Sequence, residues 1–345
     1  MRAVSIARYG DVSVLEYRED IEIPKPESNQ VLVEVKATSI NPIDLMKREG
    51  YGRTFFEKQR SPNFPWILGS DVSGVIKEVG SKVRRYKTGQ EVWGCTSGFK
   101  QGTYADYALL NQDEMSKKPK SIDFNEAAAI PYVALSTWSA LIRWPGLRPK
   151  DFLDKKIFIQ AGAGGVGTFA IQLLKHWGSK IATTCSSKNS KLLKSLGADI
   201  TVDYNTEDFS EILSDYDIVL DSLGDLGGSE SVIRSIGVLK KDSSSHYISL
   251  NHAFLRIIDE KGLIIGIPTA LAKRQKIRKE HSPINIHWSL YRPNPSALEE
   301  VSKLIDEEKI KPIIDSIFTL EDTAKAQKKV AKSHAIGKVV IRVNQ

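Results

Sequence analysis

The sequence predicts an α/β fold, a doubly wound parallel sheet combined with a mostly-β domain. Three observations carry this. A chain of 345 residues exceeds what one hydrophobic core normally holds. Residues 1 to about 130 read as short β-rich runs separated by Gly, Pro and Asn turns. Beyond them, strand-like runs alternate with helical ones, which is the sequence pattern of a parallel sheet covered on both faces.

In the first segment the β-rich runs are "QVLVEVKATSI", "VSGVIKEVG", "GQEVWG" and "TYADYALL". The alternating part opens on "KIFIQ", a β-branched and aromatic run suited to a buried strand. "VGTFAIQLLKHWG" follows, with Val166, Phe169, Ala170, Leu173, Leu174 and Trp177 at helical spacing and Gly178 placed to stop the helix. A second strand is expected at "KIATTC", a third at "ADITVDY" ending at Tyr204, and a fourth at "YDIVLDSLG" ending near Ser222. A fifth is expected at "SHYISL", ending at Leu250. "INIHWSLY" is the sixth, with Ile284, Ile286, Trp288 and Leu290 in period-two alternation. "SALEEVSKLIDEEKI" then reads as an amphipathic helix, and "GKVVIRV" as a last strand that returns to the first domain. The expected division is 1–133 with 293–345 for the mostly-β domain and 134–292 for the sheet domain.

The turn after the first strand of the sheet carries Gly162, Gly164 and Gly167 in a G-x-G-x-x-G pattern, with Ala163, Gly165 and Val166 between them. The motif is weak alone, but a strand before it and a helix after it give it meaning. Glycine lets the backbone turn tightly and approach a pyrophosphate, whose charge meets the free N–H groups of the helix start. The stretch is therefore read as a dinucleotide-binding loop of the Rossmann type. Its glycines also argue against a continuous membrane helix, which needs about 20 apolar residues.

Which dinucleotide binds follows from a missing acid. A site for NAD usually places Asp or Glu about 20 residues on, to bond the ribose 2′-hydroxyl. No acidic residue occurs from Lys155 to Ala198, and Ser186 and Ser187 stand where the carboxylate is expected, with Lys191 beyond. Hydroxyls and ammonium groups bind a 2′-phosphate that a carboxylate would repel. The expected cofactor is NADPH. Because doubly wound sheets bind ligands at the carboxyl ends of their strands, Tyr204, Ser222 and Leu250 are expected on the cofactor's rim.

Composition narrows the function classes. The chain is 41% hydrophobic and 26% charged, and its two cysteines, Cys95 and Cys185, are too few for a disulfide framework or a cysteine zinc site. The start "MRAVSIARYG" shows no apolar or Arg/Ser-rich leader, so a cytoplasmic protein is expected, or a mitochondrial matrix protein if a transit peptide has been removed. The net charge of +7 suits an acidic partner such as nucleic acid, a polyanionic cofactor, or simple solubility. The densest cationic run, "KRQKIRK" (Lys273 to Lys279), is read as a solvated loop rather than a nucleic-acid patch. No Ser-His-Asp or paired-carboxylate spacing supports hydrolysis.

The ordered pieces "VLVEVKATSINPIDL", "PWILGSDVSGVIKEVGSKV", "AAAIPYVALSTWSAL", "AGAGGVGTFAIQLLK", "SLGADITVDY" and "GKVVIRV" resemble the medium-chain dehydrogenase/reductase superfamily over essentially the full length. Within it the chain is similar to the zinc-free quinone oxidoreductase branch. "GGVGTFAIQLLKHWG", "KIKPIID" and "SHAIGKVVI" are most similar to the mitochondrial reticulon-interacting NADPH oxidoreductases and their bacterial relatives. The resemblance implies that the first domain is GroES-like, that Asn41 and Thr137 face the reacting groups, and that His334, Ala335 and Ile336 contact the cofactor. It also implies a homodimer paired through the strand Ile284–Leu290, an edge that invites a partner strand.

Alcohol dehydrogenases of the superfamily hold zinc with a Cys, a His and a second Cys or acid. At the matching positions this chain has Asn41, Ser70 and Val133, and no metal is expected. That shapes the chemistry. Reducing a simple ketone leaves an alkoxide, whose conjugate acid has a pKa of about 15.7, like water. A quinone leaves a phenolate-like oxygen, nearer tyrosine at about 10. The difference of roughly six units is about 8 kcal/mol. Hydrogen-bond donors then need supply only a few kcal/mol, the size of an oxyanion-hole contact. The expected substrate is a quinone or an enone-like acceptor. The alternatives are a 2-alkenal or enoyl reductase, and a nucleotide-retaining relative that binds RNA or protein with little catalysis.

Overall fold

The computed structural model describes residues 1–59, 61–98, 100–332 and 335–344. The chain divides into two compact units, Met1–Leu135 with Arg292–Gln345, and Ser136–Tyr291.

The first unit begins with β1 (Ala3–Ile6), β2 (Leu15–Arg18), β3 (Gln30–Ile40), β4 (Trp66–Ile67), β5 (Asp71–Val79), β6 (Glu91–Cys95), β7 (Tyr107–Asn111) and β8 (Met115–Lys117). Its small sheet has the order β2-β1-β4. β3 is buried along most of its length and pairs with both β5 and β7. Val31, Val33 and Val35 of β3, Val72 and Ile76 of β5, and Trp66, Tyr104 and Met115 pack one continuous core. This is the mostly-β architecture expected from the β-rich runs.

The second unit holds β9 (Lys156–Ile159), β10 (Lys180–Cys185), β11 (Ile200–Asp203), β12 (Ile218–Asp221), β13 (His246–Ser249) and β14 (Asn285–Trp288). They form one parallel sheet of order β11-β10-β9-β12-β13-β14, with β14 at its edge. Parallel strands are buried on both faces, and β9 shows it. Ile157 and Ile159 pack into one apolar cluster with Ile181, Leu220 and Ile248, while Phe158 packs into another with Val202, Val219 and Tyr247. Helices Gly165–His176 and Ser187–Leu196 make the first two crossovers. Reversal of strand order between β9 and β12 creates the crevice where this fold binds dinucleotides.

The crossover from β13 to β14 departs from the sequence reading. Helix Phe254–Glu280 is broken at Gly262, whose φ of 71° separates two helical legs. A Cβ on Gly266 would lie 2.7 Å from the Ile258 Cα, so the legs pack backbone against side. The cationic run Lys273–Lys279, expected as a solvated loop, is the end of the second leg. Lys, Arg and Gln are good helix formers, and Ile277 anchors the run by packing toward Ile284 and Ile286.

The chain then returns to the first unit through helix Pro295–Asp306, β15 (Ile314–Thr319) and β16 (Lys338–Arg342). β16 inserts between β15 and β3 in the larger sheet, parallel to the one and antiparallel to the other. Among the described residues, no helix is long and apolar enough to cross a membrane.

Candidate functional site

Two groups of residues answer to the predicted site, one in each unit. In the second unit, the glycine loop joins β9 to helix Gly165–His176, with Gly164 as its extended N-cap. Close approach explains two of the glycines. A Cβ on Gly162 would fall 2.1 Å from Thr183 Oγ1, and one on Gly167 would fall 2.5 Å from the Gly162 Cα. The Gly162 N–H is held by the Thr184 carbonyl at 2.9 Å and the Ala161 N–H by Thr184 Oγ1 at 3.0 Å, which pins the loop to β10. Ala163 and Val166 turn partly into the core. The N–H groups of Gly165, Val166 and Gly167 open the helix, where no carbonyl of an earlier turn is available. A helix start of this kind offers its free N–H groups to an anion such as a phosphate.

At the end of β10, Ser186 caps helix Ser187–Leu196 and its Oγ accepts from Asn189 Nδ2 at 3.2 Å. Lys191 is exposed one turn on, and Tyr204 is 60% exposed beyond β11. Sequence reasoning missed a neighbour here. Asp203 lies opposite Cys185 in the β10–β11 register, and its Oδ2 accepts the Ser187 N–H at 3.1 Å. Its Oδ1 accepts from the Asn205 N–H and Nδ2. These bonds, that of the Asn205 backbone first, hold the carboxyl below the usual range and keep it charged. The acid absent between residues 155 and 198 is thus partly supplied by the next strand. Only the strand register reveals it.

On the other side of the loop, Ser222 Oγ donates to the Gln160 carbonyl at 2.8 Å, tying the end of β12 to the end of β9. The Leu250 N–H donates to the Asp221 carbonyl at 2.9 Å. Asp221, fully buried, accepts from Leu223 N–H, Gly224 N–H and the Tyr247 hydroxyl at 2.9, 2.7 and 2.6 Å. Burial raises its carboxyl above the usual range, against the pull of those donors. Asp221 shapes the turn that presents Ser222. Thr137, in helix Pro131–Trp138, is fully buried and its Oγ1 has no hydrogen-bond partner among the described residues.

In the first unit, Asn41 ends β3 and precedes a helix that opens with Pro42. Asp44 Oδ2 accepts the Asn41 backbone N–H at 2.8 Å, and Asp44 Oδ1 accepts from Ser70 Oγ at 2.9 Å. The Asn41 amide turns inward. Its Nδ2 donates to Asp71 Oδ2 at 2.8 Å, and its Oδ1 accepts from the Lys338 ammonium. Ile336 donates its N–H to Asp315 Oδ1 at 3.1 Å, and Ala335 packs on the first unit's core. His334 lies outside the described residues. Cys95 and Cys185 are buried and are not joined in a disulfide.

The donor set does not suit zinc. Asn41 and Ser70 are engaged in hydrogen bonds, and Val133 is a buried aliphatic side chain. Among the described residues no group of three or more His, Cys, Asp or Glu side chains is arranged to hold a metal ion.

Comparison with known proteins gives the arrangement a family. Residues 27–120 match the alcohol dehydrogenase GroES-like domain and residues 196–341 the zinc-binding dehydrogenase family. The chain is 36% identical to the mitochondrial NAD(P)H oxidoreductase RTN4IP1 of Danio rerio, covering 99% of this chain and 91% of that protein. It is 32% identical to a 2-methylene-furan-3-one reductase of Solanum lycopersicum, covering 99% and 79%. The quinone oxidoreductase structure from Coxiella burnetii superposes with a TM-score of 0.84 at 29% identity, covering 100% of this chain and 99% of that one. With its 3-2-1-4-5-6 sheet, its glycine loop and its GroES-like unit, the chain belongs to the medium-chain dehydrogenase/reductase superfamily, as an NAD(P)H oxidoreductase.

Proposed function

We propose that this oxidoreductase prefers NADPH and reduces a quinone or another conjugated carbonyl without zinc. One observation carries the reading. The chain combines a loop with no room for side chains at Gly162 and Gly167 with a zinc-ligand set replaced by Asn41, Ser70 and Val133. The first holds a dinucleotide. The second leaves hydrogen bonding to stabilise the developing charge, which suffices only where the product oxygen is phenolate-like or enolate-like.

A bound reduced nicotinamide supplies the hydride. The chain's residues do the rest. Gly165, Val166 and Gly167 meet the pyrophosphate with backbone N–H groups, while Ser186 and Lys191 meet the 2′-phosphate. Ser222 and Leu250, at the carboxyl ends of their strands, would line the cofactor's rim. Thr137 offers a buried hydroxyl to the nicotinamide or acceptor, and Asn41 offers an N–H to the acceptor oxygen. Ala335 and Ile336 are further candidate cofactor contacts.

The name of the Solanum relative, an exocyclic enone reductase, favours enones as the second acceptor class. The test is NADPH oxidation against 1,4-naphthoquinone, 2-alkenals and simple ketones, with and without EDTA. Turnover of conjugated acceptors, no turnover of ketones and indifference to EDTA is expected. Zinc-dependent ketone reduction refutes the reading, as does salt-sensitive RNA binding without turnover. The proposed assembly is a homodimer. The proposed compartment is the cytoplasm, and since the Danio relative is named as mitochondrial, cell fractionation decides between cytosol and matrix.

A further inference from the structure

Lys338 opens β16 beside the end of β3, because Val339 pairs with Ile40 and the preceding residue falls against Asn41. Its side chain is 6% exposed and that of Asp71 is fully buried. The ammonium has three hydrogens and meets three acceptors: the Ile40 carbonyl at 3.0 Å, Asp71 Oδ2 at 3.4 Å and Asn41 Oδ1. Asp71 is equally occupied. Its Oδ2 also accepts from Ser39 Oγ at 2.5 Å and Asn41 Nδ2 at 2.8 Å, and its Oδ1 accepts the Tyr132 N–H at 2.6 Å.

This arrangement removes the ambiguity of an amide. A carboxamide can turn over and exchange its oxygen for its nitrogen, with nearly the same shape. An ammonium only donates and a carboxylate only accepts. Asn41 must therefore set Oδ1 toward Lys338 and Nδ2 toward Asp71. One Nδ2–H is then used by Asp71, and the other has no partner among the described residues. We infer that the Lys338–Asp71 ion pair is a positioning device that fixes the Asn41 amide as a hydrogen-bond donor to the reduced acceptor. The ammonium at Oδ1 also draws electron density from the amide nitrogen, which strengthens the free N–H as a donor through cooperative polarisation. A fixed cation thus acts on the product oxygen through the Asn41 amide. The inference rests on the reading of Asn41 given above.

Removing Lys338 alone strands a buried carboxylate and threatens the fold. The informative variant removes both charges, Lys338→Met with Asp71→Asn. It is compared with wild type, Asn41→Ala and the triple variant. The readouts are kcat with 1,4-naphthoquinone and a 2-alkenal, the dissociation constant for NADPH, and the thermal midpoint. Expected are a fall in kcat of tenfold or more in the charge-free double variant and unchanged NADPH binding. Adding Asn41→Ala to that background should cost less than twofold further, because the two changes disable one function. Losses that multiply independently overturn the inference and leave Asn41 as donor. Full activity in Asn41→Ala overturns the reading of Asn41 itself. Should the double variant fail to fold, Lys338→Arg keeps the buried charge but changes its geometry. Loss of kcat with intact NADPH binding then supports the inference, and a wild-type rate overturns it.

Discussion

Asp203 Oδ2 accepts the backbone N–H of Ser187 at 3.1 Å, which sets a carboxylate against the turn proposed to hold the 2′-phosphate. The Asp203 carboxylate is partly exposed and so partly screened, and it weakens rather than abolishes a preference for NADPH. Asp203→Asn should tighten NADPH a few fold and leave NADH nearly unchanged. Lys191→Ala should weaken NADPH about tenfold, the equivalent of one charge-assisted hydrogen bond. Ser186→Asp should reverse the preference. Nucleotide titration of the four proteins checks all three, and equal wild-type affinity for NADH and NADPH would sink the assignment.

Glycine positions separate function from freedom. Gly162→Ala drives a Cβ to 2.1 Å from Thr183 Oγ1, and that hydroxyl is held by the Ile159 carbonyl at 2.7 Å. The variant should lose roughly 1–3 kcal/mol of stability and most of its dinucleotide affinity. Gly237→Ala meets nothing within 4 Å near the end of helix Gly228–Gly237. It should be neutral or stabilise by up to about 1 kcal/mol. Denaturant unfolding measures both.

Acid sensitivity should come from His252. Its ring stacks on Trp288 at 5.0 Å, is 4% exposed, and has no hydrogen-bond partner among the described residues at either nitrogen. Burial lowers its pKa from 6.5 to about 4, against the smaller upward pull of the Ser289 backbone. The unfolded chain therefore takes up a proton that the folded chain refuses. Stability is complete above pH 6.5 and falls as pH drops toward 4, by at most about 3 kcal/mol from this group. His287, also lowered to about 4 and 3.0 Å from His246, adds to the same slope. His252→Leu should flatten the slope between pH 7 and 5, and an unaltered slope would remove His252 from the account.

Assembly is testable at β14. The Asn285 and Ser289 N–H groups point inward to the Ser245 and Ser249 carbonyls, both at 2.9 Å. Alternation then turns those of Ile286 and Trp288 outward. Light scattering should give twice the chain mass at micromolar concentration, and a monomer there refutes pairing through this edge.

Much of the sheet unit was legible because each strand carries a dense apolar run and each turn its punctuation. Gly162, Gly164 and Gly167 announced the loop, and the chain reversal at β9 put it at the crevice. What stayed hidden was side-chain convergence across long separations. Nothing local marks Asp203 as a neighbour of Ser187, or Lys338 as the partner of Asn41. Helix Phe254–Glu280 was hidden differently, since Gly262, Gly266 and Pro268 interrupt its periodicity and its packing surface is small, with Ala253, Ile257 and Ala270 at its centre.

The insertion of β16 between β15 and β3 ties the order of synthesis to the order of folding. Residues 136–291 are continuous and can assemble as soon as they leave the ribosome. The first unit cannot close its larger sheet, or bring the Lys338 ammonium to Asn41, until the final residues have been made. A chain stopped ten residues short would therefore carry a finished dinucleotide fold beside an open sheet edge at β3. Such a nascent chain is a ready client for chaperones, and a pulse-labelled time course should show protease resistance arriving first in residues 136–291.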